Sequence, residues 1–372
     1  MINSFRKLSL LDIFSKGNND LFQYIPHQNK YFTCASGRGG LEKCIELLGL
    51  NKNDSVLMPV LTAEGAVHPF YKKGVKVKFF DLNRSLQINI NKIIDIINRD
   101  FSIRCLLIIH YLGYPQKNLD EIKHICETKG IYLIEDCAQA LFSHSSEGIP
   151  LGSYGDISLF SLGKTIPVID GAVIVINSSK IILKSTDFPY NLIGMLAKLS
   201  ILITLVLNNY IDGMKMSNLF WKLNSFNKSI YEFHYKMLRK AQKPMKMSYL
   251  SKRITKNLNY DHIIKNIKTN SKLIYEKIDK KKHKLLFKNY DPNYILMGVP
   301  ILSNNSSSVR SLLRSKGIFC TIFDKYWNFI PVGKQETYPN ASNLLENILI
   351  LPVSYKSTKR EILQMIEVIN EI

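Results

Sequence analysis

The chain has 372 residues, an apolar share of 46% and a formal charge of +20 at pH 7. That length can bury a large core, with one large and one smaller domain as the natural division, and the apolar share is that of a globular protein. The charge comes mostly from scattered lysine in a Lys-, Asn- and Ile-rich chain. It reads first as solvated surface and second as attraction to anionic nucleotide-sugars, phosphates or lipids; with no recognised motif it carries no nucleic-acid reading.

In chain order, residues up to Lys30 read as a lead-in arm, and MINSFRKLSLLDIF lacks the continuous apolar core of a signal peptide. ASGRGGLEKCIELLGL (Ala35–Leu50) opens on glycines and then repeats Leu41, Cys44, Ile45 and Leu48 at helical spacing. A glycine-rich turn feeding a helix start offers free N–H groups to a phosphate, although most such turns are only helix starts. An apolar strand follows at Ser55–Val60, then a helix at Thr62–Lys73 closed by Gly74. Strands at Val75–Leu82 and Cys105–Leu112 alternate with helical patterns at Asn91–Asn98 and Leu119–Lys129. This alternation predicts an α/β fold with a mainly parallel central sheet. His110 stands at the end of a strand, where a ligand contact and a satisfied structural group are about equally expected.

The organising stretch is Ile131–Asn177. An apolar run ends in Asp136, a second spans Ile157–Leu162 and is followed by Lys164, and a third covers Ala172–Ile176. Wholly apolar strands suit the middle of a sheet covered on both faces. An acid and a lysine at the ends of such strands suit pyridoxal 5'-phosphate: the lysine forms a Schiff base, and the acid keeps the pyridine nitrogen protonated. As an alternative, Asp136 merely caps the next helix.

Three stretches, EDCAQA (Glu135–Ala140), GDISLFS (Gly155–Ser161) and Lys164 followed by Asp170-Gly171, resemble the DegT/StrS family of sugar aminotransferases, which are fold-type I enzymes. The resemblance is good over 31–180, fair over about 290–372 and weak between. It implies a large domain built on that sheet with a smaller C-terminal α+β domain, and Lys164 as the catalytic lysine that holds the cofactor. Asp136 would face the ring nitrogen, Gln139 the ring oxygen, and Ser161 the phosphate. Ser36-Gly37-Arg38 stands where the family has Ser-Gly-Thr, so Arg38 would add a charged contact to that phosphate. The sequence departs from the family in the short Leu162-Gly163 link before the lysine, in Ala172, and in LTAEGA (Leu61–Ala66), which lacks the usual ring-stacking aromatic.

The division expected is 1–186 as the cofactor-binding large domain with its arm, 187–247 as an apolar and basic insert, and 248–372 as the small domain. Leu192–Leu207 is almost wholly apolar apart from Lys198, but falls short of the ~20 residues of a bilayer span. Burial at a dimer interface or against the C-terminal domain is expected, with a membrane-surface helix over 192–247 as the sharper alternative. A long helix is expected through Asp261–Lys282, a strand at Tyr294–Leu302, a helix over Ser308–Cys320 stopped at Gly317, and a strand, Pro turn and closing helix over Ile348–Ile372.

The function implied by the resemblance is amination of a keto sugar, most often nucleotide-linked, by an amino acid donor, in surface polysaccharide or related glycan synthesis. The enzyme would be a homodimer. The six cysteines, without metal spacing and mostly in apolar runs, favour a reducing cytoplasm, with the inner membrane face as the alternative site. A sugar dehydratase, with histidine in the lysine's place, and a non-catalytic binding protein are the other readings. No Walker loop, HExxH or GxSxG competes.

Overall fold

In a computed structural model, residues 19–26, 30–183, 187–189, 244–304, 306–323, 329–331 and 333–372 are described, with a few isolated positions between 203 and 229. Most of the 187–247 insert, including most of Leu192–Leu207, lies outside the described residues. Among the described residues no helix is long and apolar enough to cross a membrane.

The larger sheet has seven strands: β1 (Tyr31–Cys34), β2 (Ser55–Pro59), β3 (Lys76–Phe80), β4 (Ile103–Ile109), β5 (Tyr132–Asp136), β6 (Ile157–Ser161) and β7 (Ala172–Ile176). Their order is β1-β7-β6-β5-β4-β2-β3, parallel from β3 through β6, with β7 antiparallel to both of its neighbours, β6 and β1. The central strands are buried along nearly their whole length, as a sheet covered on both faces requires. At the edge, β3 alternates Lys76 and Lys78 with apolar residues, and its lysines discourage further strand pairing.

Helices α1 (Gly37–Leu47), α2 (Glu64–Lys72), α3 (Ile90–Arg99) and α4 (Leu119–Lys129) connect the strands. Ser36 caps α1 by accepting the Gly39 N–H at 3.2 Å, and Gly130, with φ of 64°, closes α4 in the left-handed conformation that glycine adopts freely. The strand expected over Cys105–Leu112 ends earlier, at Ile109. Beyond it the chain turns, because the Gln139 side-chain oxygen takes the Leu112 N–H at 2.7 Å and holds Leu112 at φ 56°.

The smaller sheet, β10-β9-β8, is antiparallel throughout and is formed by β8 (Lys284–Leu285), β9 (Gly298–Leu302) and β10 (Ile348–Pro352). With it go α5 (Tyr249–Asn257), α6 (Tyr260–Lys277), α7 (Ser306–Ser315), α8 (Pro339–Asn347) and α9 (Lys359–Asn370): α6 packs on β9, α7 on β10, α8 on α7 and α9 on α6. The strand expected over Tyr294–Leu302 begins only at Gly298, while α7 ends before Gly317 much as its spacing predicts. A reciprocal capping box between Thr358 and Glu361 starts α9.

Candidate active site

The site lies at the carboxyl ends of β5 and β6, where open α/β sheets keep their ligands. Asp136 is the last residue of β5 and is 8% exposed. Its Oδ1 accepts the Ala138 N–H at 2.9 Å, and its Oδ2 makes no hydrogen bond among the described residues. Burial pushes this carboxyl above its usual range, against the lowering pull of the Lys164 charge and the Ala138 N–H. A buried acid in that condition gains from a cation placed against its open oxygen.

Lys164 closes a single 3-10 turn after β6. Solvent reaches its side chain through a cavity of about 280 Å³, so it is exposed, yet protein surrounds the cavity. The desolvation by those walls lowers its pKa from the ordinary lysine value, and the Asp136 charge partly restores it. Asp136 and Lys164 thus lie within electrostatic reach of each other, although 28 positions separate them in the chain. A larger cavity of about 530 Å³ lies against the smaller sheet beside Lys284 and Ile369 and shares no residue with the lysine cavity. It holds none of these groups, so its size carries no argument for chemistry.

The phosphate-type cradle forms where α1 meets β6. A Cβ placed on Gly37 would lie 3.6 Å from Leu159 and 3.8 Å from the Ser161 Cβ, so the first turn of α1 stands against the end of β6. The hydroxyl of Ser161 has no partner among the described residues. Arg38, also in that first turn, is buried at 8% exposure. The start of a helix, with its N–H groups and positive end, suits an anion there. Gln139 is buried; its oxygen is spent on Leu112, and its amide nitrogen has no partner among the described residues.

His110 proves to be structural. Its Nδ1 accepts the Gln116 N–H at 3.1 Å and its Nε2–H donates to Glu135 at 3.0 Å, which fixes a neutral tautomer. Glu135 also accepts the N–H groups of Gly152, Tyr154 and Gly155. His110, Glu135 and Cys137 are close enough to suggest a metal site. Both ring nitrogens and both carboxylate oxygens are already taken, however, and burial holds the Cys137 thiol far up, so the cluster has nothing to offer a cation.

Sequence reading missed Tyr111. It is fully buried after β4, donates its hydroxyl to the Leu61 carbonyl, and is near enough to Asp136 for that charge to raise its pKa further. Its position just beyond an apolar strand end was the available signal.

The residues fit pyridoxal 5'-phosphate. Three polar groups stand unclaimed among the described residues, namely Asp136 Oδ2, the Gln139 amide and the Ser161 hydroxyl. Thr165 Oγ1, next to Lys164, is buried without a hydrogen-bond partner among the described residues. A carboxylate, an amide donor, a hydroxyl beside a helix N-terminus, and an amine form the donor set that this cofactor's ring nitrogen, ring oxygen, phosphate and aldehyde call for.

Comparison with known proteins agrees with this geometry. GDP-perosamine synthase of Vibrio cholerae is 29% identical over 153 residues, 40% of this chain and 41% of that protein. GDP-perosamine synthase of Escherichia coli O157:H7 is 30% identical over 174 residues, 44% of this chain and 46% of that one. The chain therefore aligns with less than half the length of these relatives. A putative sugar aminotransferase of Streptococcus pneumoniae, Spr1654 in its PMP form, shares the fold with a TM-score of 0.72 at 15% identity, over 100% of this chain and 98% of that one. The model of the DegT/DnrJ/EryC1/StrS aminotransferase family matches residues 18–370, and the chain belongs to that family.

Proposed function

We propose that the protein is a pyridoxal 5'-phosphate-dependent aminotransferase that converts a keto sugar, nucleotide-linked as in the GDP-perosamine synthases, to an amino sugar. An amino acid donor supplies the nitrogen, and the product serves surface polysaccharide or related glycan synthesis. The observation that carries this reading is the meeting of Lys164 and Asp136 at adjacent strand ends, beside the α1 N-terminus and Ser161. A homodimer is part of the proposal, and so is a cytoplasmic setting, which six buried, unpaired cysteines support. So is the three-part division at 187 and 248.

The bound cofactor supplies an electron sink for the bonds at the reacting carbon. Lys164 anchors it and, once released, moves a proton between the substrate carbon and the cofactor carbon. Its lowered pKa favours the neutral amine that this transfer needs. Asp136 holds its charge against the ring nitrogen, Gln139 turns its free amide to the ring oxygen, and Ser36, Gly37, Arg38 and Ser161 hold the phosphate. A lysine at position 164 favours amination over dehydration.

Borohydride reduction of the protein loaded with pyridoxal 5'-phosphate, followed by peptide mapping, tests the assignment. A pyridoxyl label on Lys164 is expected. A label on another lysine, or none, overturns the reading and leaves a non-catalytic member of the family.

A further inference from the structure

The cavity over Lys164 has one wall that the reaction as described does not use. That wall comes from the small domain: the turn after β10 brings Val353, Ser354 and Tyr355 to the cavity, with Thr321 beside them. The turn is held from behind. The buried Asn270 donates both protons of its amide, to the carbonyls of Ser354 at 2.9 Å and Ser357 at 3.0 Å. Asn266 donates to the carbonyl of Tyr355 at 2.9 Å. Both asparagines project from α6, and Ile267 of the same helix lines the cavity. The turn is therefore fixed to a helix and not free to drift as an ordinary loop.

The hydrogen-bonding capacity left on this wall is distinctive. Ser354 Oγ accepts the Lys356 N–H at 3.2 Å, and its own proton has no acceptor among the described residues. Thr321 spends its backbone on Ile350 in both directions, while its exposed side-chain hydroxyl has no partner among the described residues. Two unclaimed hydroxyls on a rigid wall, opposite a lysine amine, make a surface for a neutral, hydroxyl-bearing ring. A hydroxyl both donates and accepts, so each can pair with a ring hydroxyl in either role.

We propose that Thr321 and Ser354 are the specificity residues that read the hydroxyls of the sugar ring, and that Asn270 is the positioning residue that holds Ser354 in place for it. This rests on the aminotransferase reading, because it takes Lys164 as the centre to which the sugar is presented. The assignment distinguishes the two substrates of one site. An amino acid donor carries no ring hydroxyls, so loss of these contacts falls mainly on the sugar.

The test uses the full-length enzyme loaded with pyridoxal 5'-phosphate and follows its absorbance in single turnover, once with glutamate and once with GDP-perosamine, a second nucleotide-linked amino sugar serving as a parallel probe. Thr321→Val and Ser354→Ala remove the hydroxyls with little change of shape, and Thr321→Ser keeps one. Removing a hydrogen bond to a neutral group costs about 3- to 10-fold. Each hydroxyl-less variant should therefore lower kcat/KM for the amino sugar by about that factor relative to glutamate, and Thr321→Ser should restore most of it. Asn270→Ala should raise KM for the sugar more than it lowers kcat, and should loosen hydrogen-exchange protection at Ser357. Equal losses with both substrates, or none, overturn the assignment and leave the aminotransferase reading standing. If the wild-type enzyme converts glutamate but neither sugar, the sugar-reading wall is refuted while transamination stands. If it reacts with none of the three, the aminotransferase reading falls and takes this inference with it.

Discussion

Asp170 offers a direct test of how the larger sheet is joined to α5. It precedes Gly171 at the entry to β7, and its carboxylate is 8% exposed. Oδ1 accepts the hydroxyls of Ser248 and Ser251, each at 2.6 Å, and the two oxygens share the Ser248 N–H at 3.3 and 3.2 Å. Its own N–H donates to Ser251 Oγ at 3.1 Å. A carboxylate from the entry to β7 thus sits on the N-terminus of α5, where the helix favours negative charge. In Asp170→Ala both hydroxyls lose a charged acceptor, a loss of about 1.5–3 kcal/mol for each. The hydroxyls lie 3.0 Å apart and can pair with each other, which recovers part of that loss. The net expectation is about 3 kcal/mol. Unfolding entropy of about 2 cal/mol/K per residue turns this into a fall in Tm of about 4 °C for a chain of this length. Circular dichroism against temperature reads the shift, and hydrogen exchange at Ser248 and Ser251 locates it in the first turn of α5. A Tm within about 1 °C of wild type, with unchanged exchange at those amides, would refute the argument; the ~4 °C shift is well above that threshold.

Three further outcomes follow from the same geometry. Glu135→Gln sets an amide NH₂ against donors from Gly152 and His110, or from Tyr154 and Gly155; a loss of about 3–5 kcal/mol is expected as a lower denaturant midpoint, and an unchanged midpoint counts against it. Gly113→Ala puts a Cβ against the Ile295 carbonyl at φ 94°, so about 2–4 kcal/mol should be lost, whereas Gly130→Ala, with open space around it, should lose only the cost of its positive φ, ~1 kcal/mol. Lys164, whose folded pKa lies below the ordinary 10.5, contributes stability that is present above 10.5 and lost as pH falls through the lowered value; in protein stripped of small molecules, the Tm of wild type minus that of Lys164→Met should therefore fall from pH 10.5 downward, and a flat difference sinks the assignment.

What could be read in the sequence, and what could not, divides along the range of the interactions. Asp136 and Lys164 were legible because each terminates an apolar run, and burial of that run dictates where its end must lie. Ser36 was legible as a helix start, since its cap bond to Gly39 spans three residues. The end of β4 was not, because it is set by Gln139 from 27 positions away. The nature of His110 was equally hidden: its satisfaction depends on Glu135, one strand over, and on the turn at Gln116. Ser354 and Thr321 carry no pattern at all, being single hydroxyls, one from the turn after β10 and one from a bridge to Ile350, that meet Lys164 only in the folded chain.

The contact between the chain after β4 and the chain before β9 has a specific physical route. Gln139 follows Asp136 by three residues and spends its oxygen on the Leu112 N–H, which sets the chain after β4 into a left-handed turn. The Leu112 carbonyl, turned by the same conformation, takes the Met297 N–H at 3.0 Å, one residue before β9 begins. Gly113 then lets the backbone at Ile295 approach so closely that no side chain fits between. Leu112 and Met297 both line the Lys164 cavity. One amide side chain therefore helps to set the Leu112 wall of the cavity and the contact between the chain after β4 and the start of β9, while its nitrogen has no partner among the described residues.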